Sequence, residues 1–265
     1  MHAPKQVSKN STSDQDESVE LDKLRQLLIN RANDLCSDVQ DICNKYNEKE
    51  LRKFLRVGKH DCNKAYDMIR GYAGFEMKYP ELFENISEDA LRSCIEEGEI
   101  CVIPGRDPKG RAVVCFRFES WDPSKRPFLE VMKSMRYIFD KLLDNEEIQT
   151  NEICLVEDFK TYNLRQLAAA GIKEYKVMID MLQDRFSAWI TSIHCIRQPW
   201  YFGKVFNMIK PFLRSQLFQK IYMHGKNLDL FVEEFSEEFL PADLGGTGPL
   251  YDGVVSANSI LGIKV

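Results

Sequence analysis

Apolar residues recur at helical spacing from Leu21 through Leu24, Leu28, Ala32, Leu35 and Val39 to Ile42, which predicts a helix over 21–46. A second helix is expected over 48–56, with Leu51, Phe54 and Leu55 turned inward. His60-Asp61-Cys62-Asn63 offers caps for a third over 62–79, which Pro80 ends, and a short fourth follows over 87–97. The pattern then switches to β-type runs. Glu99–Ile103 and Ala112–Phe118, joined through Asp107-Pro108-Lys109-Gly110, predict a hairpin closed by Trp121-Asp122-Pro123. Beyond it come a helix over 127–144, a buried strand at 153–156, a helix over 164–185, a strand over 188–193 and an amphipathic helix. The order hairpin–helix–strand–helix–strand–helix predicts an α/β domain with a mixed sheet, preceded by a small all-helical unit. The expected organisation is a polar, disordered tail over 1–20, a helical N-terminal domain over 21–97, the α/β domain over 98–250 and a C-terminal tail over 251–265.

The amphipathic helix changes the picture most. Phe202, Val205, Phe206, Ile209 and Leu213 form one apolar stripe, with Lys204, Asn207 and Lys210 opposite. Trp200 and Tyr201 stand at its start, as amphipathic aromatics do at a membrane interface. Lys210-Pro211 breaks the helix; a second helix, a His224-Gly225 turn and Leu240-Pro241 with Gly245-Gly246 close the stretch. The helices before it carry large adaptable side chains: Met132, Met135, Phe139, Met178, Met181 and Phe186. Such residues serve either as ordinary core or as the lining of an apolar container.

Composition narrows the chemistry. The formal net charge is −5, so a global electrostatic grip on nucleic acid is not expected and any basic contact is local. No apolar run approaches the roughly 18 residues of a membrane span, and residues 1–20 lack the apolar segment of a signal peptide. Eight cysteines occur without a CxxC pair, and the four histidines are scattered, so buried thiols in a reducing compartment are expected and no metal site is. There is no GxSxG, Walker, GxGxxG or HExxH motif, and Gly245-Gly246-Thr247-Gly248 has no helix start behind it. Enzyme chemistry has no supporting constellation.

Several marks agree in order and spacing. They are Leu51–Arg56 with Tyr79–Phe83; Arg117–Pro123; Ile193-His194; Phe206–Leu213; Met223–Asn227; and Leu240-Pro241 with Gly245-Gly246. On these residues the sequence resembles the CRAL-TRIO (Sec14-like) lipid-binding family, in the branch of α-tocopherol transfer protein and cellular retinaldehyde-binding protein, over roughly residues 48–248. The resemblance implies a mixed-sheet floor, helices around a deep apolar cavity, and a mobile gate helix at about 199–213. The implied lining is Phe116, Phe118, Met132, Met135, Phe139, Ile153, Leu155, Leu164, Ile179, Leu182, Phe186, Ile190 and Ile193, with gate contacts from Phe202, Val205, Phe206, Ile209 and Leu213. His194 and His224 are expected to be structural.

Two positions stand apart. The resemblance implies basic residues, binding phosphatidylinositol bisphosphate, in the strand before Ile193-His194. Here that strand reads Ala188-Trp189-Ile190-Thr191-Ser192, which leaves Lys204, Lys210, Arg214 and Lys220 as the head-group candidates and Trp189 either inserting into lipid or simply packing. Glu157 shares the cavity face with Ile153 and Leu155 by strand alternation. A buried carboxylate needs a partner: a nearby Arg or Lys, or a hydroxyl or amine of a ligand. The implied function is that of a cytoplasmic, monomeric carrier, peripheral at membranes, that holds one hydrophobic lipid of tocopherol (vitamin E) or retinoid type and hands it on at a membrane surface. It needs no cofactor beyond the bound lipid. The alternative is a phospholipid- or phosphoinositide-sensing module that recruits a partner protein.

Overall fold

The computed structural model describes residues 11–32 and 45–262. The chain divides into two compact units, one up to Gly74 and one from Phe75 on.

In the first unit, helix α1 (Ser11–Asn30) packs against α2 (Glu48–Val57), and α3 (Cys62–Lys78) begins. Leu21, Leu24 and Leu28 are buried, as are Leu51, Phe54 and Leu55. Asn47 caps α2 by accepting from the Glu50 amide at 3.1 Å, which satisfies one of its free amides. The tail expected over 1–20 is helical from Ser11 on. Its polar composition hid an ion pair, Glu17 to Arg52 at 2.6 Å, that ties the polar turn to α2. The part of the expected 21–46 helix that covers 33–44 lies outside the described residues.

The second unit is built on a five-stranded mixed sheet in the order β1 (Ile100–Val102), β2 (Ala112–Arg117), β3 (Ile153–Asp158), β4 (Ile190–Ile196), β5 (Ile221–Gly225). β1 and β2 are the antiparallel hairpin; the other pairings are parallel. Helices fill the crossovers, as parallel strands require. These are α5 (Phe128–Leu142) and α6 (Glu146–Asn151), then α7 (Leu164–Ala169) and α8 (Ile172–Asp180), then α9 (Phe202–Ile209) and the short α10 (Ser215–Phe218). One face of the sheet (Val113, Cys115, Cys154, Val156) is covered by Phe231 and Phe235 of α11 (Asp229–Phe235), with Leu240 and Leu244. The other face carries Phe116, Glu157 and Cys195 in one register row.

The structure moves three boundaries. The expected break at 97/98 shifts to 74/75, because α4 (Glu88–Glu96) packs on β1 and α5 of the sheet unit. The expected tail over 251–265 contains helix α12 (Gly253–Leu261), capped by Asp252 on the Val255 amide at 3.0 Å and packed on α4, α5 and β1. Gly253 is needed there, since a Cβ would lie 2.4 Å from the Glu96 carbonyl oxygen. The helix expected over 164–185 is interrupted: Ala170 leaves helical geometry, Gly171 starts α8, and Met181–Arg185 forms a π turn. The strand β5 occupies what reads as helix and turn in the sequence.

Candidate ligand cavity

The wall of the site is fixed by its corner. Asn163 caps α7 with a capping box to Gln166. The buried Gln166 amide then donates to the carbonyls of Phe118 and Trp121, the second at 2.9 Å, and so holds Phe118 at the end of β2. Phe118 packs edge-on against Tyr162 and stacks on Phe159, both at 4.6 Å between ring centroids. Phe159 meets Phe202 of α9 at 4.4 Å. Helix α9, the expected gate, therefore enters over an aromatic floor. Its apolar stripe faces β4, β5 and α8 across an almost wholly apolar cavity lined by Phe118, Glu157, Phe159, Tyr175, Met178, Ile179, Leu182, Ile193, Cys195, Phe202, Val205, Phe206, Ile209, Leu213, Leu217 and Ile221.

The cavity volume is about 60 Å³. Sites that hold drug-sized ligands measure roughly 300–1,000 Å³. Helix α9 thus packs close on its floor, and the space as it stands is smaller than a drug-sized ligand.

Ten of the residues expected at the site meet here: Phe118, Glu157, Ile179, Leu182, Ile193, Phe202, Val205, Phe206, Ile209 and Leu213. Phe116, Met132, Met135, Phe139, Ile153, Leu155, Phe186 and Ile190 are buried but do not line the space. They make solid core: Phe139 and Phe186 meet edge-on at 5.0 Å, and Phe116 lies against Phe118, Trp121 and Phe128. Strand alternation gives the face a residue points to, not its depth. Leu164 is 69% exposed and is not at the site. Phe159, Tyr175, Cys195, Leu217 and Ile221 were not anticipated; Met178, offered as core or container lining, does line the space. Tyr175, Met178, Ile179 and Leu182 share helical spacing, and Cys195 follows Ile193 by the strand period, so those signals were present. Leu217 and Ile221 depend on the unforeseen β5.

Glu157 is the polar exception. It is 6% exposed, and among the described residues its carboxyl has neither an ion pair nor a hydrogen bond. Burial alone pushes its pKa up to about 8, so at neutral pH it is largely the uncharged acid. The salt bridge that strand-end position suggested is not formed. Nearby, the Tyr162 and Tyr175 hydroxyls share a hydrogen bond of 2.6 Å.

The cationic candidates divide. Lys204 and Lys210 are exposed, Lys210 resting 5.3 Å over the Phe218 ring. Arg214 is paired with Asp184. Lys220 points inward and donates to the carbonyls of Ser187, at 2.9 Å, and Ile190. Its ammonium is tied to backbone carbonyls at the start of β4. Trp189 is 1% exposed and packs in the interior, whereas Trp200 is 87% exposed.

On the opposite face, the His194 Nδ1 and His224 Nε2 atoms lie 2.9 Å apart, joining β4 to β5. The rings stack on each other, and His194 also stacks on Tyr222. Burial, then the neighbouring His224, pushes His194 down to about 4. The glycine-rich turn is packing: a Cβ on Gly246 would lie 2.1 Å from the Leu240 oxygen. Among the described residues no group of three or more His, Cys, Asp or Glu could hold a metal ion, and no helix is long and apolar enough to cross a membrane.

Known proteins agree with this architecture. The CRAL/TRIO domain model matches residues 96–246. Alpha-tocopherol transfer protein-like from Mus musculus is 32% identical over 80% of this chain, and its Homo sapiens counterpart 32% over 74%. Clavesin-1 from Rattus norvegicus is 29% identical over 80%. The chain spans about six tenths of these relatives: 61%, 58% and 60% of their lengths. The crystal structure of Sfh5 shares the fold at TM-score 0.57 and 13% identity, covering 95% of this chain and 92% of that one. The chain belongs to the CRAL/TRIO family.

Proposed function

We propose that the chain is a non-enzymatic carrier that takes one hydrophobic lipid, of tocopherol or retinoid type, under the α9 gate and transfers it between membranes. The observation that carries the reading is the apolar seam between α9 and the sheet, with the Glu157 carboxyl set into it. Burial of a long isoprenoid-like chain at about 25 cal/mol per Å² of apolar surface supplies ample binding energy. A ligand held that way leaves slowly through water. Release therefore belongs at a bilayer, where the stripe on α9 exchanges pocket contacts for lipid contacts. Uncharged at neutral pH, Glu157 can both donate and accept one hydrogen bond, which suits a hydroxyl or carbonyl at the end of such a ligand. The names of the alpha-tocopherol transfer protein-like relatives favour the same ligand class.

The second reading, a phospholipid sensor, loses support from the head-group side: Lys220 and Arg214 are engaged within the protein, which leaves Lys204 and Lys210. Native mass spectrometry of the purified protein, with solvent extraction, identifies what is held. Vesicle-to-vesicle transfer then separates the readings. A carrier moves its ligand in proportion to the protein supplied, and a protein that binds lipid without moving any between vesicles is not a carrier.

A further inference from the structure

The two ends of the gate are held differently. At its N-terminal end, Phe202 and Val205 are buried, Phe202 sits on Phe159, and Tyr201 donates to the Tyr162 carbonyl at 2.6 Å. Toward the C-terminal end, Ile209, Phe212 and Leu213 are only half-buried, and Pro211, which has no N–H to continue α9, leads it into the 3₁₀ turn Lys210–Phe212. Two contacts with the turn Met181–Arg185 hold this end: the exposed Arg214 guanidinium pairs with Asp184, and the buried Gln183 amide grips the backbone. Gln183 Nε2 donates to the Phe212 carbonyl at 3.1 Å, and Gln183 Oε1 accepts from the Arg214 amide at 3.1 Å. A side chain that pairs with both a carbonyl and an amide of the same segment pins it as a neighbouring strand would.

Gln183 lies in the π turn Met181–Arg185, whose wider turn shifts the facing of the residues that follow α8. The turn also places Leu182 on the cavity and Gln183 on a separate cleft of about 210 Å³, lined by Gln183, Ser187, Arg214, Gln216, Leu217 and Lys220. Leu217 lines both spaces. The Gln183 pairing thus stands in the wall between the apolar cavity and an outer cleft.

We propose that Gln183 is the latch of the gate, a positioning residue whose release lets α9 open at its C-terminal end while Phe202 stays seated as the hinge. The amide is itself steadied by Asp180, whose Oδ1 lies 3.4 Å from Gln183 Nε2 and whose Oδ2 receives Lys78, Tyr79 and Lys176, each at 2.6 Å. The latch is therefore built from a fixed base onto a half-buried segment. This rests on the carrier reading for its role, but its geometry can be tested without a ligand.

The test compares Gln183→Ala, Gln183→Glu and Tyr201→Phe in the full chain. Hydrogen exchange at the Arg214 amide should rise about five- to thirtyfold in Gln183→Ala, the span for one or two lost hydrogen bonds, with the Phe202–Phe206 amides unchanged. Gln183→Glu keeps the acceptor for Arg214 but turns a carboxylate oxygen toward the Phe212 carbonyl and the Asp180 carboxylate, so it should raise exchange at least as much as Gln183→Ala. With a fluorescent polyene loaded into the protein, release to phosphatidylcholine vesicles should accelerate in the same order, and Tyr201→Phe should accelerate it less than Gln183→Ala. Unchanged Arg214 exchange in Gln183→Ala overturns the latch, as does faster release from Tyr201→Phe than from Gln183→Ala. If no variant binds the polyene while Arg214 exchange rises as expected, the latch stands and the carrier reading fails.

Discussion

At the scale of single residues, Glu157 and His194 have opposite consequences for stability. Glu157 is raised from 4.5 to about 8 by burial. The folded state then binds more protons than the unfolded state between those values, so stability falls as pH rises through that window. The loss is on the order of a few kcal/mol once pH passes 8. Glu157→Gln, which keeps the shape and removes the charge, should melt at a nearly constant temperature from pH 6.5 to 8, above the His194 window, while the parent declines, as calorimetry will show. A parent without that decline would mean that the carboxyl has a partner. His194 behaves in the reverse sense. Its value is lowered from 6.5 to about 4, so its neutral form stabilises the fold above 6.5, and that stability is lost as pH falls toward 4. Alternation placed Glu157 on the cavity face from sequence alone; that it lacks an ion partner depends on where distant cations lie, which no local pattern records.

At the scale of elements, the gate and the edge strand carry the consequences. Phe206 is half-buried in α9 and lies 6.2 Å from both Phe202 and Phe218. Phe206→Ala should shorten retention of a bound polyene about tenfold, less than a fully buried aromatic would, and a dilution assay into vesicles measures it. Retention unchanged by this substitution would remove α9 from the role of gate. β5 is held to β4 partly through the His194–His224 contact, so the protection factors of its amides should drop between pH 6.5 and 4, while those of β2 and β3 persist. Equal losses in all strands would place the acid sensitivity elsewhere. Long periodic elements were legible in the sequence: the hairpin, α5, β3 and the gate helix all fall where the pattern put them. β5 was not, because an exposed edge strand with Tyr222 and Met223 pointing out lacks the apolar run that marks a buried one. The π turn was invisible too, since one extra residue in a helical turn leaves the apolar spacing of α8 nearly intact.

At the scale of the molecule, the sheet is asymmetric in use. One face is sealed by α11 and the Leu240–Leu244 segment; the other is covered by α5 and α8 and, over the cavity, by α9, a helix with an exposed rim. Around that rim Trp200, Met208 and Phe218 are exposed, beside Lys204 and Lys210. A surface of this kind on a chain of net charge −5 should meet a bilayer through apolar insertion more than through charge. Binding to phosphatidylcholine vesicles should therefore persist at high salt, where the Debye length shrinks to about 3 Å. The three tryptophans make this readable, because Trp121 and Trp189 are buried and Trp200 is not. Adding vesicles should shift the emission of Trp200 to the blue, and Trp200→Phe should abolish the shift. Trp200→Ala should weaken vesicle binding about tenfold, the scale expected when part of a large aromatic no longer inserts. Binding that requires anionic lipid and vanishes in salt would instead place the contact on Lys204 and Lys210 and favour the sensing role over the carrier.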